Sequence, residues 1–226
     1  MPSGLEVYNN DNVLVIDSDY KNMRLAQKLT VTPSGSGAFF SKRATVNLPS
    51  ASPVVAYYCT QNCLVNVVLV GSTWTAYVEN EGYPVTLYIF DLAYPTGSNS
   101  GFEVFNSAGQ LVFSANEKYM KVRGNLSYDY ATAAQWSSGN NYRDMTFTAG
   151  QMIATVASSN ARLDNVGPGS DVTKYSLIIL SSFTQNIAIN TVRCCYNIVR
   201  VYDNISTFPV QDESVANLTF IDVTGL

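Results

Sequence analysis

Gly4-Leu-Glu-Val-Tyr-Asn-Asn-Asp-Asn-Val-Leu-Val-Ile-Asp-Ser-Asp-Tyr-Lys-Asn-Met23 recurs without a gap as Gly101-Phe-Glu-Val-Phe-Asn-Ser-Ala-Gly-Gln-Leu-Val-Phe-Ser-Ala-Asn-Glu-Lys-Tyr-Met120. Eight of the twenty positions are identical: Gly4/Gly101, Glu6/Glu103, Val7/Val104, Asn9/Asn106, Leu14/Leu111, Val15/Val112, Lys21/Lys118 and Met23/Met120. Unrelated segments of this length share about one residue, because each residue type makes up roughly 5–7% of ordinary sequence. The chain is therefore an internal duplication, and the repeat sets its organisation.

Each copy reads as a β-hairpin followed by a third strand. Leu5–Tyr8 and Val13–Ile16 are β-branched and aromatic runs separated by turn formers. The last turn position is Asn12 in one copy and Gly109 in the other. These two residue types enter the left-handed region at least cost, which predicts a positive φ there. Beyond the turn, Met23/Met120 and Leu25/Val122 alternate with polar neighbours, the period of a half-buried strand. Glu6/Glu103 reads as shared scaffold, pairing with Lys21/Lys118.

The copies also close alike. Leu87-Tyr-Ile-Phe-Asp91 matches Val199-Arg-Val-Tyr-Asp203, an apolar-aromatic pair running into Asp. The modules then span 4–91 and 101–203, in domains 1–97 and 98–226, and the tail after Asn204 lies outside the repeat, with Leu218–Ile221 adding one strand. Short β-rich runs with frequent turn signals predict an all-β fold of two tandem homologous β-sandwich modules. The expected strands are Thr45–Leu48, Val54–Cys59, Val65–Val70, Thr73–Glu79 and Val85–Phe90, then Met145–Thr148, Met152–Ala157, Tyr175–Leu180, Ile187–Ile189 and Cys195–Tyr202. Ala131–Trp136 is the best helical candidate and is one or two turns long.

Of the 226 residues, 13% are charged and 46% apolar, with a formal charge of −4. That balance speaks against nucleic acid, which needs clustered Lys and Arg; Lys42-Arg43 reads as a solvated basic pair. The opening Met1–Glu6 lacks the basic and apolar segments of a signal peptide, and no apolar run is long enough for a spanning helix. Synthesis in a cytosol is the expectation, with Cys59, Cys63, Cys194 and Cys195 as buried free thiols, open to oxidation after release from the cell. Their spacing matches no zinc knuckle, so no metal and no cofactor are expected.

Histidine is absent, which removes the usual Ser–His and Cys–His nucleophile pairs and the commonest general base. A carboxylate pair could act alone. Nothing in the spacing of Glu6, Asp17, Asp19, Glu79, Glu81, Glu103, Asp129, Asp144 and Asp164 singles one out. Asp17-Ser-Asp19 lacks the glycine and distal glutamate of a calcium loop, and Gly167-Pro-Gly169 reads as a turn. The Asn-x-Ser/Thr triplets at Asn125, Asn204 and Asn217 matter only in a secretory pathway. No catalytic residue is assigned, and the chain reads as a non-enzyme.

What remains is recognition. Residues 125–142 are rich in Tyr, Trp, Ser, Gly and Asn, the composition of adaptable binding loops. Tyr128, Tyr130, Trp136, Asn140, Asn141 and Tyr142 form the expected interaction surface, against the alternative of a surface loop that tucks one or two aromatics into the core. Asn160–Asp171 is a weaker candidate, and Tyr94–Ser100 reads as the linker.

The two hairpins, together with the Tyr88-Ile-Phe-Asp91 strand that precedes Gly101, resemble small tail-tip or tail-fibre-associated proteins of long-tailed bacteriophages (siphophages). Asn12 departs from the glycine usual at that turn. The resemblance covers both modules, but its specific part is these hairpins and closing strands. It implies a structural virion protein of the tail, assembled in the host cytoplasm, acting in tail assembly and host attachment. Implied partners are other phage tail proteins, further copies of the chain (a trimer, or three per tail) and a host surface glycan or outer-membrane receptor, with no nucleic acid and no membrane span. The alternatives are a carbohydrate-binding adhesin module and a capsid or tail decoration protein.

Overall fold

The computed structural model describes residues 6–8, 14–17, 21–37, 40–95, 101–129, 142–159, 162–165, 175–186, 191–202 and 215–226. These hold eighteen β-strands and no helix. Half one contains β1 (Glu6–Tyr8), β2 (Leu14–Asp17), β3 (Arg24–Val31), β4 (Gly35–Ser36), β5 (Lys42–Asn47), β6 (Val54–Tyr58), β7 (Leu64–Val70), β8 (Thr73–Asn80) and β9 (Val85–Asp91). Half two contains β10 (Glu103–Phe105), β11 (Leu111–Ser114), β12 (Val122–Asp129), β13 (Tyr142–Thr146), β14 (Ile153–Ser159), β15 (Arg162–Asn165), β16 (Tyr175–Asn186), β17 (Thr191–Tyr202) and β18 (Val215–Asp222). Most expected strands stand within a few residues of their expected ends. Ile187–Ile189 and the helical candidate Ala131–Trp136 lie outside the described residues.

The strands build a β-sandwich around one shared sheet. That sheet runs β12-β18-β14-β6-β9-β3, antiparallel throughout, with β14 against β6 at its middle through Thr155 and Tyr57. Read outward from the middle, β6-β9-β3 and β14-β18-β12 are the same arrangement. The outer sheets, β4-β5-β8-β7 and β13-β17-β16-β15, likewise share the three-strand order β5-β8-β7 and β13-β17-β16. The strand order is thus the same on either side of the middle of the shared sheet. A bulge repeats too: β3 slips against β9 between Leu25 and Gln27, and β12 slips against β18 between Val122 and Gly124, the same place in the repeat. Bulges sharpen local twist and fix register.

This topology corrects the closing strand of the second copy. The counterpart of Leu87-Tyr-Ile-Phe-Asp91 is Leu218-Thr-Phe-Ile-Asp222, not Val199–Asp203. β18 pairs with β12 as β9 pairs with β3, whereas β17, holding Val199, lies between β13 and β16 in an outer sheet. The tail belongs to the repeat. Composition misled because any buried strand offers alternating apolar and aromatic residues.

Leu87–Phe90 of β9 is an unbroken apolar run because both of its faces are covered. Val85, Leu87 and Ile89 point into the core between the shared and outer sheets, with Val55, Tyr57, Ala76, Val78, Leu218 and Phe220. Phe147 packs tilted on Phe220, with ring centroids 5.4 Å apart. Tyr88 and Phe90 point to the opposite face with Ala56, Ala154 and Ile221, beneath Met23, Leu25, Met120, Met152 and Leu226. The first core contains residues of both halves, so the sequence alone could not assign a separate core to each. Independent folding of 1–97 and 98–226 is a different property, which truncation measures.

Candidate docking surface

Within the expected recognition segment, Tyr128 lies on β12 opposite Ala216, and Tyr142 opens β13 opposite Cys195. β12 is an edge of the shared sheet and β13 an edge of an outer sheet, so the segment between them leads from one edge to another. Tyr130, Trp136, Asn140 and Asn141 lie outside the described residues.

The repeat itself supplies a second surface. β1-β2 and β10-β11 are separate two-stranded sheets with one register. Glu6, Val7 and Tyr8 face Asp17, Ile16 and Leu14, while Glu103, Val104 and Phe105 face Ser114, Phe113 and Leu111. Each hairpin has a bulge after its valine. Over these paired strands the sequence match is therefore a match of backbone pairing.

Local chemistry explains the shared residues. Asn106 Oδ1 accepts from the main-chain N–H groups of Ala108 and Gln110 at 3.1 and 2.9 Å, an Asx-type turn; its repeat counterpart Asn9 and the turn position Asn12 lie outside the described residues. Gly109 has φ +76°, as the turn chemistry predicts. Gly101 has φ +99°, and a Cβ there would lie 3.1 Å from the Asn116 side chain. The lysines take other partners than the glutamates first expected. Lys118 Nζ donates to the Gly225 carbonyl at 2.6 Å, and the Lys21 ammonium sits 3.3 Å from the centre of the Tyr94 ring. The Tyr94 hydroxyl donates to Gln110 Oε1 at 2.7 Å, tying the end of half one to the second hairpin.

Each hairpin presents an aromatic to solvent at the same repeat position: Tyr8 is 49% and Phe105 is 52% exposed. Phe102 is half exposed and packs on Phe113, which stacks on Tyr119 with centroids 4.9 Å apart. Val104 and Val112 are buried and anchor the second hairpin, while the Phe105 ring stands out to solvent. In the sequence these residues mark the fold, and neither Tyr8 nor Phe105 belongs to the expected recognition segment 125–142. The signal was there in the retained aromatic character of Tyr8 and Phe105.

Several of the candidate acid–base carboxylates have structural partners. Glu79, buried, accepts from Arg43 Nε at 2.6 Å and from the Phe40 N–H at 3.3 Å. Glu81 accepts from the Ser41 hydroxyl at 2.5 Å, and Glu6 accepts from the Tyr8 hydroxyl at 2.7 Å. Among the described residues no three His, Cys, Asp or Glu side chains gather as a metal site. No helix there is long and apolar enough to cross a membrane.

A family described as a domain of unknown function, DUF8377, matches residues 1–120, more than half of the 226-residue chain. The chain belongs to the DUF8377 family. No curated protein and no solved structure matches it. The DUF8377 match runs through all of half one and the second hairpin, and ends at Met120, the last residue of the repeated stretch.

Proposed function

We propose that this DUF8377 chain is a structural component of a bacteriophage tail tip, with its paired hairpins as docking elements in tail assembly and host attachment as a second role. The hairpin and closing-strand motifs support the phage reading through their resemblance to siphophage tail proteins. The observation that carries the docking reading is the equivalent exposure of Tyr8 and Phe105 on two identically registered hairpins. Half-exposed aromatics at repeated positions supply apolar contact at little conformational cost. Two such elements on one chain suit a partner that itself repeats, as tail proteins and further copies of this chain would.

Gold-labelled antibody imaging of phage particles from the source culture tests the reading. Label confined to the distal tail end, in small numbers, supports it. Label along the tube or over the head makes the chain a decoration protein. Absence of label from every particle refutes the virion reading and leaves the carbohydrate-binding alternative, which glycan affinity of the purified protein measures.

A further inference from the structure

Between β6 and β7 the chain leaves the shared sheet for an outer sheet through Cys59-Thr-Gln-Asn-Cys63. Thr60, Gln61 and Asn62 are exposed, while Cys59 and Cys63 turn inward into the core between the sheets. Both are free thiols. Cys59 Sγ accepts from the Gln61 N–H at 3.4 Å and from Asn80 Nδ2 at 4.0 Å, and the Cys63 thiol lies within hydrogen-bonding reach. When protonated, Cys59 donates to the Pro84 carbonyl at 3.8 Å.

Asn80 is held in place for this contact. Its Oδ1 accepts from the Gly82 and Tyr83 N–H groups at 2.7 and 3.0 Å, and its Nδ2 donates to the Tyr83 carbonyl at 2.9 Å. The Cys63 hydrogen bond is the largest influence on the Cys59 thiol. Burial opposes it, and contacts from Gln61, Asn80 and Thr60 reinforce it. The net effect lowers the Cys59 pKa from 9.0 to about 7. The thiolate is the reactive form of cysteine, so Cys59 is the nucleophile of the pair.

We propose that Cys59 and Cys63 are a dithiol–disulfide couple at the rim of half one, with Cys59 attacking, Cys63 resolving, and small-molecule disulfides such as glutathione disulfide as the oxidant. Opening of the exposed 60–62 arch admits the oxidant. The Cys59 thiolate attacks one sulfur of glutathione disulfide; that S–S bond breaks, and the departing glutathione thiolate takes up the proton Cys59 has lost. Cys63 then loses its proton and attacks Cys59 Sγ, expelling the second glutathione. Two protein thiols are oxidised to one disulfide, and one glutathione disulfide is reduced to two glutathiones. The product joins the end of an inner-sheet strand to the start of an outer-sheet strand, stapling the sandwich at its rim.

The test incubates the folded full-length protein with glutathione disulfide, blocks remaining thiols with iodoacetamide, and maps peptides by mass spectrometry. The expected product is an intramolecular Cys59–Cys63 link, reversed by dithiothreitol. In Cys63→Ser, glutathione should accumulate on Cys59; in Cys59→Ser, Cys63 should stay unmodified. The initial rate on wild type should rise about tenfold from pH 6 to pH 8, against nearly a hundredfold for an ordinary thiol. This pH profile needs no variant to fold. Recovery of both cysteines alkylated from the folded protein overturns the proposal, as does a link from either one to Cys194 or Cys195. So does equal modification of Cys63 in Cys59→Ser.

Discussion

The main-chain N–H of Met120 donates to the carbonyl of Met23 across 2.9 Å, so two residues at the same position of the repeat meet each other. Arg24 bridges Tyr119 beside them, and the Leu25 N–H donates to the Lys118 carbonyl at 2.7 Å. β3 and β12, which follow these segments, lie at opposite edges of the shared sheet. Their lead-in segments nevertheless cross on one face and cover Tyr88, Phe90 and Ile221. This crossing closes the second core over the junction of the halves.

Removing that contact should loosen the junction. Met120→Pro deletes the donor and should destabilise the protein by about 1–3 kcal/mol, lowering Tm by roughly 3–10 °C. Met120→Leu keeps the N–H and the volume, and should cost less than about 1.5 kcal/mol. Calorimetry of the two variants separates hydrogen bond from side chain.

The repeated strand order makes a prediction about the isolated first half. The register that sets Thr155 against Tyr57 brings Ala56 opposite Val156, its counterpart. In residues 1–97 alone, β6 becomes an unpaired edge beside an uncovered apolar face, which favours strand-to-strand association. Residues 1–97 should fold and form a dimer with β6 paired antiparallel to β6. Light scattering should give twice the monomer mass; a folded monomer would contradict this, and an unfolded chain would show that the halves do not fold separately.

Glu79 and Arg43 form a lopsided ion pair. The carboxylate is 2% exposed, whereas the guanidinium is one-third exposed and faces the Tyr77 ring. Arg43→Ala leaves a buried charge without its main counter-ion and should cost about 3 kcal/mol. Glu79→Gln, which keeps the shape and removes the charge, should cost less. Denaturant unfolding at neutral pH measures both.

Asp222 should make stability fall in acid. Burial raises its pKa, but hydrogen bonds from the Thr224 N–H at 3.0 Å and from Arg123 Nη2 and Nε at 2.8 and 3.1 Å outweigh burial and hold the carboxyl below its usual range. A carboxylate depressed in the folded state contributes its stability above the unfolded value, about 3.9, and loses it as pH falls through the folded value. Asp222→Asn should therefore have a lower Tm than wild type at pH 7. The gap should shrink as pH drops below about 4, in parallel thermal scans.

The hairpin aromatics should matter to assembly more than to folding. Tyr8→Ser with Phe105→Ser removes half-exposed rings and should lower Tm by no more than a few degrees. On the proposed function, phage carrying both changes should yield fewer intact tails or adsorb poorly. A normal plaque count with a normal Tm would set these rings aside as docking residues.

The sequence by itself determined the repeated stretch, the two hairpins, the turn of the second, and the all-β class. Each rests on local chemistry: asparagine and glycine at Asn106 and Gly109, period-two alternation, and β-branched runs between turn formers. It also placed most strands of both halves. The tertiary structure alone decided that Leu218–Asp222, and not Val199–Asp203, completes the second half, that β6 and β14 merge two halves into one sheet, and that Tyr8 and Phe105 face solvent together. These depend on which strands meet across nearly a hundred residues, as Tyr57 and Thr155 do, and many strands of this composition would fit the same slot. Pairing is a property of the folded backbone, where register and shared burial choose among locally equivalent candidates.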